Sequence, residues 1–312
     1  MNTPLISVVI PLYNKENSVS RALTSVLSQS YKNFELIVID DGSTDTSAEK
    51  AREFDDPRLK IVSQTNRGVS AARNVGVKLA TADYVAFLDA DDSYSPNFLK
   101  HISQLIVRNQ QAALFSCRLQ FVDENNQLFR LKALFGDNFK GELTCFFSTF
   151  AKDRAIIHPS SMAVNKAKFL DLGGFPEGKH VGEDLQLILS LALSGQVMHD
   201  SYCGATAFRN AENRTITRKP QELSCHIVYF LTETTWKNQV DKYKIQAVQQ
   251  FCIHNAVLHA AGAALNRQRE LSLKYGRLVW PHSKIHAMLI VLLALTPTPV
   301  LQWLKSRRNT PN

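Results

Sequence analysis

Four short apolar runs separated by helix-length segments fill the first ninety residues, and this alternation constrains the fold more tightly than any other feature of the chain. Residues 6–10 form the first run and read as a buried strand. After Asn14, Val19, Ala22, Leu23, Val26 and Leu27 recur at helical spacing and mark one apolar face. Residues 34–39 read as a second strand, 44–54 as a polar helix and 59–62 as a third strand. A helix over 69–79, rich in small residues, and a fourth strand over 84–88 complete the series. Short strands joined through helices pair in parallel with right-handed crossovers, so their C-terminal ends line one edge of the sheet. Ligands of open α/β sheets bind at that edge.

Beyond the fourth strand the alternation changes character. Phe98, Ile102, Leu105 and Ile106 give another amphipathic helix, and residues 112–122 with 128–134 read as a β-hairpin around Asn125-Asn126. Gly173-Gly174-Phe175 signals a turn, and residues 183–193 a helix with Leu185, Ile188, Leu189 and Ala192 on one face. After Pro220 the strand signals stop: residues 221–273 read as helical throughout, and 284–295 as a final helix before Thr296-Pro297-Thr298-Pro299. The expected organisation is a domain over 1–220, in two halves of 1–97 and 98–220, followed by a helical region over 221–312.

With 312 residues, 45% of them hydrophobic, the chain has apolar material for one large domain and an appendage. Its five cysteines are scattered and form no CxxC pair, which argues against zinc or thiol redox chemistry and fits a reducing cytoplasm. No basic segment leading into a long apolar one opens the chain, so cytosolic synthesis is expected. The net charge of +8 suits nucleic acid, anionic membrane or phosphate-bearing substrates. No nucleic-acid recognition motif accompanies it, and acidic clusters occupy the ligand edge, so nucleic acid is not an expected partner. The apolar residues of 284–295 surround their helix, yet a bilayer span needs ~20 of them. An interfacial segment over 284–308, flanked by Lys284, Lys305, Arg307 and Arg308, competes with a core or homodimer helix and with a true span; the basic flanks favour the first.

Two acidic runs end strands. Asp40-Asp41-Gly42-Ser43-Thr44-Asp45 follows the second strand; a capped turn would explain Gly42 and Ser43 but not an Asp pair at the strand end. Leu88-Asp89-Ala90-Asp91-Asp92 follows the fourth. Unit charges about 4 Å apart still interact by about 4 kcal/mol at an effective dielectric of about 20, so three carboxylates in four residues repel strongly. Either the turn is simply solvated, or a hard cation such as Mg²⁺ or Mn²⁺ relieves the repulsion and shares its coordination with substrate phosphates.

Together with Val8-Val9-Ile10-Pro11-Leu12-Tyr13-Asn14 and Asn66-Arg67-Gly68-Val69-Ser70-Ala71-Ala72-Arg73-Asn74, these runs resemble, in order and spacing, the motifs of the family-2 inverting glycosyltransferases. The resemblance covers roughly residues 5–210. It implies the A-type glycosyltransferase fold, a Rossmann-like, mostly parallel mixed sheet flanked by helices, with 1–97 as the nucleotide-sugar half and 98–220 as the acceptor half. By the same resemblance Pro11 and Tyr13 line the base pocket, Asp41 accepts from the ring N–H of uracil, and Arg73 serves the base and phosphates. Asp89 is the first carboxylate of the metal and ribose motif. Asp91 and Asp92 match the end of that motif as its metal residues, Asp91 being the favoured one although sequence does not separate the two. Gly182-Glu183-Asp184 resembles the family's Glu-Asp motif, which makes Asp184 the catalytic base; Glu183 either contacts an acceptor hydroxyl or caps its helix. His158 is either a conventional histidine or an acceptor contact, and Gly173-Gly174-Phe175 a structural turn.

Two departures from the family stand out. Phe208-Arg209-Asn210-Ala211 carries alanine where many relatives have a metal-approaching histidine, and the Gln-x-x-Arg-Trp signature of processive polymer synthases is missing. The second implies transfer of a single sugar. A nucleotidyl transferase would instead need a Gly-rich phosphate loop, and residues 7–14 contain no glycine. The expected activity is inverting, Mn²⁺- or Mg²⁺-dependent transfer from a UDP-sugar to a lipid-linked or cell-surface polysaccharide precursor. A peripheral enzyme on the cytoplasmic face of a bacterial inner membrane is the expected setting.

Overall fold

The computed structural model describes residues 3–131, 134–212, 222–238 and 240–308, with side chains up to residue 303. The chain divides into two compact units, Met1–Gly178 with Leu187–Arg214, and Lys179–Gln186 with Thr215–Asn312. The position near residue 220 at which sequence put a boundary falls in 213–221, outside the described residues.

The first unit opens with β1 (Ile6–Leu12), α1 (Val19–Leu27), β2 (Phe34–Asp40), α2 (Ser47–Arg52), β3 (Leu59–Ser63), α3 (Val69–Leu79) and β4 (Tyr84–Phe87). The polar helix is shorter than its sequence suggests because turn chemistry takes residues 41–46. Asp40 Oδ1 accepts from the Ser43 N–H at 3.0 Å and Asp45 Oδ1 from the Ser47 N–H at 3.0 Å, so the backbone bends before it coils. β5 (Ser93–Tyr94), α4 (Phe98–Arg108), β6 (Leu114–Val122), β7 (Leu128–Phe129), β8 (Lys140–Glu142), α5 (Phe146–Lys152), β9 (Met162–Asn165), α6 (Lys166–Asp171), α7 (Glu183–Ser194) and β10 (Val197–Phe208) follow. The expected hairpin is present, with a second strand of only two residues.

Among the described residues the strands run in the order β3-β2-β1-β4-β9-β6-β10-β5, with β7 on β6 and β8 on β10. β3, β2, β1 and β4 are parallel, as the helical connections require. β9 inserts antiparallel between β4 and β6, and β10 is parallel to β6, so the sheet is mixed. Sequence alone does not reveal β9 or β10. The latter carries buried His199, Asp200 and Ser201 and shifts register between Asp200 and Cys203, which erases any apolar alternation. Ile6, Val8, Ile10 and Leu12 of β1 join α1 and α4 in one core cluster. Val9 points to the other face, against α3.

The second unit holds α8 (Cys225–Thr232), α9 (Lys242–Leu265), α10 (Arg269–Val279), α11 (Lys284–Leu295) and α12 (Thr298–Arg308), together with the first turn of α7. The expected continuous helix over 221–273 is thus interrupted twice. Asp241 starts α9 afresh by accepting from the Lys244 N–H at 2.9 Å, and Arg267 takes a left-handed φ of 61° between α9 and α10. α11 buries Ala287, Ile290 and Ala294 but leaves Ile285, Met288, Leu292 and Leu295 exposed. No helix among the described residues is long and apolar enough to cross a membrane. The side chains of Lys305, Arg307 and Arg308 lie outside the description, and the five cysteines are free.

A Cβ at Gly76 would collide with Cγ1 of Val9, where α3 lies flat on β1. We expect Gly76→Ala to lower the stability of the protein by about 1–3 kcal/mol through overpacking, read as a drop in the urea midpoint at unchanged slope.

Candidate active site

The parallel order β2-β1-β4 brings three strand ends to one edge: Tyr13 just past β1, Asp40 and Asp41 at the end of β2, and Asp89 just past β4. Pro11 sits where a missing N–H costs least. Val9 accepts from the Leu88 N–H on the β4 side, and two residues later, where Pro11 faces the same way, β4 has ended. Pro11 is buried and Tyr13 is 41% exposed.

Asp41 is buried and anchors the start of α3. Its Oδ1 accepts from Gln64 Nε2 at 2.7 Å and the Arg67 N–H at 2.9 Å, and its Oδ2 accepts from the Gly68 N–H at 2.8 Å. An ionised carboxylate offers about four acceptor positions, so Oδ2 keeps capacity for one further donor. Gly68 has a φ of 88°, a left-handed conformation that allows its N–H and that of Arg67 to converge on one carboxylate.

Arg73, buried in α3, donates from NH2 to Asp89 Oδ1 at 2.5 Å, and its guanidinium lies 5.0 Å from the Phe175 ring centre. The Gly173-Gly174-Phe175 turn is fastened to the neighbouring Asn74, whose amide donates to Phe175 O and accepts from the Phe175 N–H, both at 2.9 Å. Gly174 has a φ of 76°, and a Cβ there would stand 2.6 Å from Asn74 Oδ1 and 2.9 Å from Phe169 Cε1. The turn therefore supports the arginine from beneath. This agrees with the structural role expected of the turn and gives it a partner.

The three carboxylates of residues 89–92 have three different environments. Burial opposes ionisation of Asp89, but Arg73, His158 and Lys15 outweigh it and hold its carboxyl below the usual range. Asp91 Oδ2 accepts from Lys15 Nζ at 2.7 Å, and Arg21 binds the Asp91 carbonyl at 2.7 Å. Asp92 has neutral partners: its Oδ2 accepts from the Ser160 hydroxyl at 2.5 Å and its Oδ1 from the Phe208 N–H at 3.4 Å. Burial first, and then the charges of Asp91 and Asp89, push its pKa well above the usual value.

β9 and β10 deliver those neutral partners. Because β9 is antiparallel to β4, the residues before it, His158 and Ser160, arrive at the edge where β4 ends; because β10 runs with β6, Phe208 arrives there too. Carboxylate oxygens of Asp89 and Asp92 and a ring nitrogen of His158 all lie within 4.8 Å of one another. Two carboxylates at this spacing, one of them hydrogen-bonded to a hydroxyl and a backbone N–H, fit a divalent cation, which would lower the cost of ionising Asp92. Asp91 stands outside that group, with its carboxylate on Lys15. His158 Nδ1 accepts from the Ser160 N–H at 3.2 Å. Sequence assigns no role at this site to Lys15, Ser160 and Asn74, although Lys15 and Asn74 border or belong to the motifs, and reads His158 as a conventional histidine or an acceptor contact and not as a neighbour of these carboxylates.

Glu183 and Asp184 open α7, in the second unit. Gly182 reaches a φ of 81°, and a Cβ there would strike Ser224 Oγ and His226 Nδ1. Val181 O accepts from the Cys225 N–H at 2.9 Å, and the Ser224 N–H donates to the Tyr275 hydroxyl at 2.9 Å. The start of α8 and a side chain of α10 thus hold the turn that carries both acids. Asp184 Oδ1 accepts from the Leu185 N–H at 2.7 Å. Burial, then the charges of Glu183 and Asp184, pushes the Cys225 thiol up to about 12.

Asp92 has a raised folded-state pKa, so its contribution to stability is present at acid pH and is lost as pH rises from about 3.9 through the folded value. We expect Asp92→Asn, which can still accept from Phe208 and donate to Ser160, to raise the denaturant midpoint of the metal-free protein at pH 7. The gain should vanish below about pH 4. A destabilised variant at pH 7 would contradict this.

The glycosyl transferase family 2 profile matches residues 7–167. The Escherichia coli enzyme UDP-Glc:alpha-D-GlcNAc-diphosphoundecaprenol beta-1,3-glucosyltransferase WfgD is 36% identical over 116 residues, 37% of this chain and 46% of that one. An uncharacterized glycosyltransferase of Rickettsia conorii is 33% identical over 208 residues, 63% of this chain and 32% of its own. The chain thus spans less than half the length of either relative. S. aureus TarS 1–349, solved in complex with UDP-GlcNAc, superimposes with a TM-score of 0.69 at 18% identity, covering 98% of this chain and 93% of that one, a likeness of fold. With the matched profile spanning more than half of its residues and the acidic motifs gathered on one sheet edge, the chain belongs to glycosyl transferase family 2 and has the A-type glycosyltransferase fold.

Proposed function

We propose that this protein transfers a single hexosyl or N-acetylhexosaminyl unit, with inversion, from a UDP-sugar to a hydroxyl of a lipid-linked or cell-surface polysaccharide precursor. One observation carries the donor half: Asp41, Arg73 and the carboxylates of residues 89–92 share the ligand-binding edge of a parallel sheet inside the matched family region. The WfgD relative is named for a UDP-glucose donor and a diphosphoundecaprenol acceptor, which favours this donor and acceptor class here.

In this reading Pro11 and Tyr13 flank the base, and Asp41 Oδ2 uses its remaining capacity on the uracil ring N–H. Arg73 serves the base and phosphates, and Asp89 the ribose. Asp91 and Asp92 hold Mn²⁺ or Mg²⁺ with Asp89 close by; when bound, the cation neutralises charge on the departing diphosphate. As the acceptor oxygen bonds to the sugar carbon and the bond to the diphosphate breaks, Asp184 takes the hydroxyl proton from the face opposite the leaving group. Glu183 orients the acceptor. The exposed Ile285, Met288, Leu292 and Leu295 of α11, with Lys284 at its start, support contact with an anionic membrane surface on the cytoplasmic side, in preference to a homodimer.

Incubation with a panel of UDP-sugars, Mn²⁺ and membrane extract should produce transfer with one of them; a panel with neither binding nor turnover refutes the donor assignment. Asp184→Asn should lose at least about 100-fold in turnover while UDP binding is unchanged. Undiminished turnover removes Asp184 as the base. Ile285→Glu combined with Leu292→Glu, both at exposed positions, should abolish sedimentation with anionic vesicles, and unchanged sedimentation rules out the α11 contact.

A further inference from the structure

Lys15 meets the acidic edge from the loop between β1 and α1. Its Nζ lies 2.7 Å from Asp91 Oδ2, with the two side chains 13% and 18% exposed, and it also donates to the Glu212 carbonyl. The loop around it is fixed. The Lys15 N–H donates to Ser47 Oγ at 2.7 Å, and the Glu212 carboxylate accepts from the Asn17 N–H at 3.2 Å and the Ser18 hydroxyl at 2.8 Å. Arg21 holds the Asp91 carbonyl, so the side chain of Asp91 is the part left to turn.

The three carboxylates have unequal partners. Arg73 answers Asp89 and Lys15 answers Asp91, while the hydrogen-bond partners of Asp92 are a hydroxyl and a backbone N–H. A divalent cation that used Asp91 would compete with the ammonium for the same oxygen and be repelled by it. Lysine suits this position because its ammonium is a compact point charge on a flexible stem, able to leave.

We propose that Lys15 is a built-in counter-ion of Asp91 that a divalent cation must displace, and so a positioning residue that sets cation affinity at this edge. The proposal rests on the donor-site reading above. It makes Lys15 a brake on cation binding before the donor arrives.

The test is a Mn²⁺ titration of the full chain without nucleotide, followed by the electron paramagnetic resonance of free Mn²⁺. Lys15→Met keeps the backbone bond to Ser47 and should bind Mn²⁺ about tenfold more tightly than the wild type. Lys15→Arg, which keeps the charge, should restore the wild-type affinity. Lys15→Gln carries the same expectation as Lys15→Met should the latter not fold, as judged by thermal melting. Equal or weaker Mn²⁺ binding by the neutral variants overturns the proposal, as does a wild type and variants that bind no Mn²⁺ at all. Failure of UDP to bind the wild type would strike the donor reading instead, and leaves the Mn²⁺ comparison to decide the role of Lys15.

Discussion

A buried arginine is tolerable only if a carboxylate meets it, and the 2.5 Å contact between Arg73 and Asp89 is the pairing around which this edge is organised. Arg73 reaches Asp89 because α3 lies flat on β1, which needs Gly76 against Val9. It stays in place because Phe175 lies beneath the guanidinium and Asn74 clasps the Phe175 backbone from both sides. Gly174 permits that clasp. A run of small residues, an asparagine and a double glycine thus serve one ion pair.

With Asp89 paired, the remaining carboxylates are sorted by what other strands deliver. Asp91 turns to Lys15, and Asp92 accepts from Ser160 and Phe208, a hydroxyl and a backbone amide. Repulsion within one short turn is therefore converted into an ordered gradient: one carboxylate held ionised by its guanidinium, one paired to a lysine, one pushed toward its neutral form. A site arranged in this way gains most from a cation, because the ion stabilises the carboxylate that the protein alone leaves most costly to ionise.

In the second unit, the two acids that open α7 have a support of their own. Its helices hold the turn at Val181-Gly182 through Ser224, Cys225 and Tyr275, and so fix the opening of α7 and the two acids on it. The helical region is part of how Glu183 and Asp184 are presented, which no residue within the Gly182-Glu183-Asp184 motif announces.

The amino-acid sequence by itself determined what depends on neighbours along the chain. β1 to β4 and their helices follow from apolar periodicity, and the carboxylates that end β2 and follow β4 are adjacent residues whose mutual repulsion can be read directly. Val69–Leu79 and Lys284–Leu295 agree with their observed ends because each is bounded by clear local signals. Only the tertiary structure decided the rest, because it joins residues far apart in sequence. β9 and β10 have polar residues in their interior that are satisfied by pairing with other strands, so no local pattern marks them. The partners of the acids, Lys15 for Asp91, Ser160 and Phe208 for Asp92, and Asn74 for the glycine turn, lie from 68 to 116 positions away. Such pairs are selected by the order and direction of strands, a property of the whole sheet that no window of the sequence contains.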